Sequence, residues 1–165
     1  MKEVTIYDVK ENVVDLLNHQ WGLITAGSAD GYNTMTVSWG AIGELWGKDT
    51  VTAYIRPQRY TKQFLDDNDC FTLSFYPPEY KKALALCGSE SGRDIDKAAA
   101  TGLTPVFDEA APYFAEAKLV IVCKKRAVGG FSPEQFLDLA IMKEYPANDF
   151  HAIYYGEIIK VLVKE

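Results

Sequence analysis

Apolar and polar positions along the chain change period several times. In DVKENVVDLLNHQ (8–20), Val13, Leu16 and Leu17 recur at helical spacing. Asp8 and Glu11 stand at the spacing of a capping box, so the pattern predicts a helix. The period then shortens. WGLITAG (21–27) is a compact apolar run, SADGYN is a turn-rich break, and TMTVSWG (34–40) and TVTAYIR (50–56) alternate, which predicts strands. A short helix over about 58–67 and a strand in CFTLSFY (70–76) follow. PPEYKKALALCG (77–88) starts with proline and stops at glycine, the usual asymmetry of a helix. SESGRDIDKAAATG (89–102) reads as a loop entering a short helix, YFAEAKLVIVCKKRAV (113–128) as one or two strands, and HAIYYGEIIKVLVKE (151–165) as a returning strand. Between these, SPEQFLDLAIMKE (132–144) has Ser before Pro and Gln at the third helical position, which predicts another helix.

Six or more strands with scattered helices do not follow the strict alternation of a doubly wound sheet. The pattern fits a mainly β, antiparallel barrel with peripheral helices, expected to occupy residues 1–165 as one domain. There are no repeats, low-complexity segments or long linkers.

Composition narrows the function classes. With 48% hydrophobic and 24% charged residues the chain has the make-up of a globular protein. Its net charge of -6 argues against nucleic acid as partner, which needs a basic face. No apolar run reaches the ~20 residues needed to cross a bilayer, and MKEVTIYDVKEN lacks the apolar stretch of a signal peptide, so a cytoplasmic protein without membrane contact is expected. Three cysteines without a C-x-x-C pair suit reduced thiols. Cys70 and Cys123 fall in strand-like runs as core filler, and Cys87, before Gly88, is either core or the border of a site. Two histidines, His19 and His151, outside any triad context give no hydrolase signature, and with scattered cysteines no metal site.

The sharpest local feature is YIRPQRYTKQFLDDND (54–69). Arg56, Arg59 and Lys62 crowd the start of the predicted helix, and Asp66, Asp67 and Asp69 crowd its end, both against the helix dipole. Either these cations are solvated or paired with surface acids, or a bound anion completes the site. A phosphate would be met by free helix amides, by two arginines and by the Thr61 hydroxyl. No G-x-G-x-x-G or G-x-x-x-x-G-K-[ST] loop is present to hold a nucleotide in another way. NTMTVSWG (33–40) places Thr34, Thr36 and Ser38 on one face and Met35, Val37 and Trp39 on the other. One face suits the core; the other is either a plain solvent face or the edge of a ligand site.

Taken together and in this order, WGLITAG…YNTMTVSWG, YIRPQRYTKQF, CGSESGRDIDKAAATGLTP and HAIYYGEI resemble the flavin reductase-like family of FMN-binding split-barrel proteins, flavoredoxin-like members included, from about Trp21 to Ile158. The resemblance implies an antiparallel Greek-key split β-barrel, FMN as cofactor, and a homodimer with the flavin near the subunit boundary. It implies that Thr34, Met35, Thr36, Val37, Ser38 and Trp39 line the isoalloxazine, that Arg56, Arg59, Tyr60 and Thr61 hold the phosphate region, and that Ser89, Ser91 and Lys97 approach from the later loop. His151, ahead of the GEI stretch (156–158), is implied to face the substrate side of the flavin as the catalytic residue. The implied reaction passes electrons from a nicotinamide cofactor or redox-protein donor through FMN to a small-molecule acceptor, free flavin or iron, or to a redox protein. The rival readings are a flavin carrier or sensor without turnover and a pyridoxamine-phosphate-oxidase-like enzyme on the same barrel.

Overall fold

The computed structural model describes residues 1–165. Its main sheet contains β1 (Lys2–Val4), β2 (Gly22–Ser28), β3 (Gly31–Val37), β4 (Gly40–Leu45), β5 (Lys48–Ile55), β6 (Cys70–Phe75), and two long strands. A short hairpin, β7 (Pro105–Val106) with β8 (Tyr113–Phe114), stands apart, and the long strands are β9 (Leu119–Gly130) and β10 (Ala152–Val163). The order across the sheet is β3-β2-β6-β9-β10-β5-β4, with β1 paired to the far end of β10 and every pairing antiparallel.

β3 and β4 end that order, yet only Ser38 and Trp39 join them in sequence. From Val37 to Gly40 the chain can span only about 11 Å, so the sheet must curl until its edges approach. No ladder closes the seam. This is the mainly β split barrel that the sequence predicts, and Ser38 and Trp39 sit at the opening.

Successive strand residues point to opposite faces, and both faces are covered. Ile24, Met35, Val37, Phe71, Phe75, Ile121 and Cys123 belong to an apolar cluster of 18 buried residues inside the barrel. Their neighbours Leu23, Val120 and Val122 join Leu84, Cys87, Leu103 and Phe114 in a second cluster of 11 beneath the peripheral helices. That double burial explains why WGLITAG and LVIVC read as unbroken apolar runs rather than alternating ones.

The helices are α1 (Val13–Asp15, continuing as a π turn over Leu16–Gln20), α2 (Thr61–Asp67), α3 (Lys81–Ser89) and α4 (Lys97–Thr101). Leu16 and Leu17 are buried as their spacing predicts. The cap is different: Asn12 accepts from the Asp15 amide at 3.1 Å, while Asp8 accepts from the Thr5 amide at 2.9 Å and closes an earlier 3-10 turn. The expected helix over 132–144 is two 3-10 pieces, Pro133–Gln135 and Leu139–Glu144. Its start signal forms, since Ser132 N donates to Gln135 Oε1 at 2.7 Å. The turn then stops because Phe131, Phe136, Tyr145 and Phe150 pack ring against ring across the segment, which overrides local propensity. The three cysteines are unpaired; Cys87 and Cys123 are buried and Cys70 half-buried. No helix is long and apolar enough to cross a membrane.

Candidate functional site

The barrel seam opens into a cavity of about 430 Å³. One wall is β3 and its exit, from Met35 through Thr36, Val37 and Ser38 to Trp39. The facing wall is α3, through Leu84, Ala85 and Gly88, with Trp21, Tyr54, Arg56, Arg59 and His151 around the rim. The two walls are tied together, since Thr36 Oγ1 donates to Leu84 O. They are close enough that a Cβ on Gly88 would lie 3.2 Å from Thr36 Cβ. Most of this lining is apolar, so the space suits an apolar or aromatic group.

Thr34 is placed differently from Thr36. Its hydroxyl is within 2.8 Å of Thr25 Oγ1 on the neighbouring strand and 3.2 Å from Ile24 O, and Thr34 is not among the residues that line the seam cavity. Only its carbonyl contributes, as a hydrogen-bond acceptor for Lys97.

Met35 and Arg59 also line a smaller, polar hollow of about 80 Å³, which continues the first cavity. Asn33, Tyr60, Thr61, Ser89, Ser91, Gly92 and Lys97 surround it. Here the cations at the start of α2 divide. Arg56 donates to Asp149 Oδ2 at 2.6 Å and to Glu144 O at 2.7 Å, and Lys62 donates to Asp66 at 2.7 Å. Pairing with acids accounts for these two. Arg59 has no carboxylate partner: its one side-chain bond runs from Nη1 to Gly88 O at 2.9 Å. Burial lowers its pKa, the cost of withdrawing an uncompensated cation from water.

Lys97 is the second uncompensated cation. It is 6% exposed, and Nζ donates to Thr34 O at 2.8 Å and Cys87 O at 2.7 Å. Burial pulls its pKa down to about 8. Thr61 Oγ1 accepts from Asn33 Nδ2 at 2.8 Å, and the Tyr60 and Thr61 amides have no backbone acceptor. Ser89 Oγ donates to Leu86 O at a long 3.4 Å, Ser91 Oγ accepts from the Arg93 amide at 3.2 Å, and the Arg93 guanidinium covers the Tyr60 ring at 4.6 Å. A Cβ on Gly92 would lie 2.0 Å from Asn33 Oδ1, so only glycine lets the 89–92 loop lie this close.

His151, just before β10, lines the first cavity and not the hollow. It is 7% exposed, its Nδ1 is 2.8 Å from Tyr145 OH, and its ring centroid is 4.9 Å from that of Trp39. Burial, reinforced by Arg56, lowers its pKa to about 4, so the imidazole is neutral near pH 7. A third space, a groove of about 810 Å³ lined mainly by Val13, Val14, Leu17, Ala41, Ile42, Phe131, Phe136 and Ile141, meets the first at Ser38, Trp39 and Tyr54.

Sequence reasoning missed Trp21, Asn33, Tyr54, Leu84, Gly88 and Gly92 as lining residues. Asn33 was read as the end of a turn because β3 begins at Gly31, earlier than the alternation shows. Trp21 carries no signal at all: it adopts φ 66°, a region glycine normally occupies.

An open antiparallel barrel, with a mainly apolar cavity at its seam beside a polar hollow that holds Arg59 and Lys97, is the class of fold that the chain presents. The flavin reductase-like domain family matches residues 15–165, and the chain belongs to that family. No curated protein sequence matches it. Among solved structures it is similar to a flavoredoxin from Methanosarcina acetivorans, at 20% identity and TM-score 0.71 over 100% of this chain and 77% of that one. It is also similar to an FMN-binding domain of a flavin reductase-like enzyme from Shewanella baltica, at 18% identity and TM-score 0.69 over 97% and 75%. An NADH:FAD oxidoreductase from Streptomyces globisporus, in complex with NAD and FAD fragments, matches at 18% identity and TM-score 0.65 over 88% and 74%. These likenesses show the split-barrel fold.

Proposed function

We propose that this flavin reductase-like protein binds FMN and works as an oxidoreductase, taking electrons from NAD(P)H or a redox protein and delivering them to a flavin, iron or protein acceptor. The observation that carries this reading is that the mainly apolar seam cavity and the cationic hollow adjoin, with Met35 and Arg59 lining both. The donor set fits: Thr36, Val37 and Ser38 flank a ring, while Arg59 and Lys97, both without carboxylate partners, with Thr61, Ser89 and Ser91 suit a phosphate. FMN supplies hydride acceptance and electron release when bound. The chain's own part is to exclude water with Trp21, Trp39 and Leu84, to orient the ring between β3 and α3, and to hold His151 neutral on the open side.

The reading extends to a homodimer, supported by the apolar groove beside the cavity, and to a reducing, cytoplasmic setting, supported by three unpaired thiols. The NAD and FAD fragments bound to the Streptomyces neighbour support NADH as the first donor to test and FAD as the competing ligand. The experiment is a fluorescence titration with FMN, FAD and riboflavin, followed by anaerobic reduction with NADH and NADPH. FMN is expected to bind more tightly than riboflavin and to bleach on adding NADH or NADPH. Unchanged FMN fluorescence would overturn the cofactor assignment, and bound FMN that neither nicotinamide reduces would transfer the donor role to a redox protein.

A further inference from the structure

His151 has one ring nitrogen engaged and one open. The contact between Tyr145 OH and His151 Nδ1, at 2.8 Å, is the only side-chain hydrogen bond either group makes. Tyr145 is 4% exposed. If Nδ1 carried the ring proton, it would donate to the phenol oxygen and leave the phenolic hydrogen buried without an acceptor. The reverse arrangement, with Tyr145 donating to Nδ1, leaves only oxygen lone pairs over, on a ring that the Arg56 guanidinium faces at 5.1 Å. An unmade donor costs more than an unused lone pair, so the phenol donates. The ring proton then resides on Nε2. That atom has no partner within the protein and is not among the sealed, unpartnered polar atoms, while the ring lines the seam cavity. The Trp39 ring packs beside the imidazole with centroids 4.9 Å apart.

We propose that Tyr145 is a positioning residue that locks His151 in the Nε2–H tautomer, so that the cavity offers a neutral hydrogen-bond donor there and takes a ligand with an uncharged acceptor, a carbonyl or carboxamide oxygen. The charged groups around the imidazole agree with this. Arg56 at the end of β5 opposes a positive charge on the ring, and Asp149, which favours one, is already engaged by Arg56 and by Gln58 at 2.8 Å. Burial decides the balance and holds the pKa at about 4. What lies beside the donor as redox partner rests on the flavin reading; the tautomer does not.

The test is ¹⁵N NMR of the ligand-free protein labelled at histidine. The chain has two histidines, and His19→Gln assigns the signals. Between about pH 5.5 and 8, well above the titration of a ring with its pKa near 4, His151 is expected to show an unprotonated Nδ1 and a protonated Nε2, unchanged across the range. Tyr145→Phe is expected to keep the fold and release the lock, giving a mixture of tautomers. With FMN loaded, the same variant is expected to raise KM for NADH about 2- to 10-fold, as loss of one neutral hydrogen bond does, with kcat changed less. A proton on Nδ1 in the wild type, an imidazolium in that pH range, or an unchanged tautomer in Tyr145→Phe would each overturn the proposal. If Tyr145→Phe does not fold, the wild-type spectrum alone decides. The expected tautomer with no FMN binding would remove the flavin reading and leave the Tyr145 assignment standing; FMN binding with the wrong tautomer would do the reverse.

Discussion

Arg59 and Lys97 are the two cations at this site that the protein leaves without a carboxylate, and each shows the cost as a lowered pKa from burial. Arg59→Ala is expected to raise the dissociation constant for FMN about 10- to 150-fold, the loss of one charge-assisted hydrogen bond. Riboflavin, lacking the phosphate, is expected to lose far less. A pair of titrations on wild type and variant reads the difference; equal losses would mean general unfolding, and no loss would put the phosphate elsewhere. Lys97 adds a pH dependence. A lysine in the unfolded chain titrates at 10.5, whereas the buried Lys97 titrates at about 8. Between those values the folded state has released a proton that the unfolded state keeps, so stability from this group rises with pH, and the burial cost is fully present below pH 8. Phosphate affinity moves the other way, because the cation disappears. FMN is expected to bind about 5- to 10-fold more weakly at pH 9 than at pH 7, since a group titrating near 8 is mostly neutral by pH 9, and Lys97→Met is expected to show no fall. A flat wild-type profile would remove Lys97 from the phosphate hollow.

At the scale of elements, the strands were legible where burial is one-sided or complete, because β5, β6, β9 and β10 show a strong apolar pattern whichever face is covered. β4 was not, since GAIGEL carries little apolar signal, and its turn into β5 is made by Trp46 and Gly47 at φ 59° and 71° without the usual Asn-Gly pair. The broken helix at 132–144 and the π turn at Leu16–Gln20 depend on aromatic and barrel packing that no local window contains. The site divides in the same way. Arg59 was visible as a cation placed against the helix dipole, but only tertiary pairing separates it from Arg56 and Lys62. The GEI stretch was marked by resemblance, and the structure gives the reason. At the β10 irregularity a Cβ on Gly156 would lie 2.5 Å from Phe71 Cζ and 2.8 Å from Cys123 Cβ, both in the barrel core. Gly156→Ala is therefore expected to destabilise by about 1–3 kcal/mol through overpacking. Gly43→Ala, on β4, meets nothing within 4 Å and is expected to gain about 0.4–1 kcal/mol by restricting the unfolded chain. Urea midpoints for the two variants check this; equal shifts would show that β10 yields at the bulge.

The whole molecule follows from a two-residue link. Because Ser38 and Trp39 alone join the two edges of the sheet, the barrel closes by curling and stays unpaired at its seam, and both the seam cavity and the apolar groove are lined by these two residues. The groove's surroundings are unusually bare: Val14 is 69% exposed, Leu139 74% and Leu137 fully exposed. An apolar groove with an exposed valine on its wall suits an interaction face. A second copy of the chain is the occupant expected here. Since Ser38, Trp39 and Tyr54 line the groove and the cavity alike, seating that copy would also brace the wall of the ring site. Assembly and flavin affinity are then coupled, and anything that splits the dimer loosens the ligand. Light scattering is expected to show a dimer in the wild type. Val14→Glu, at a position too exposed to disturb the core, is expected to give a folded monomer with weaker FMN binding, by about 10-fold for each ~1.4 kcal/mol of bracing lost. A wild-type monomer with FMN bound would contradict the dimer. A Val14→Glu monomer with unchanged affinity would show that one chain holds the ring site unaided, and that the groove serves assembly alone.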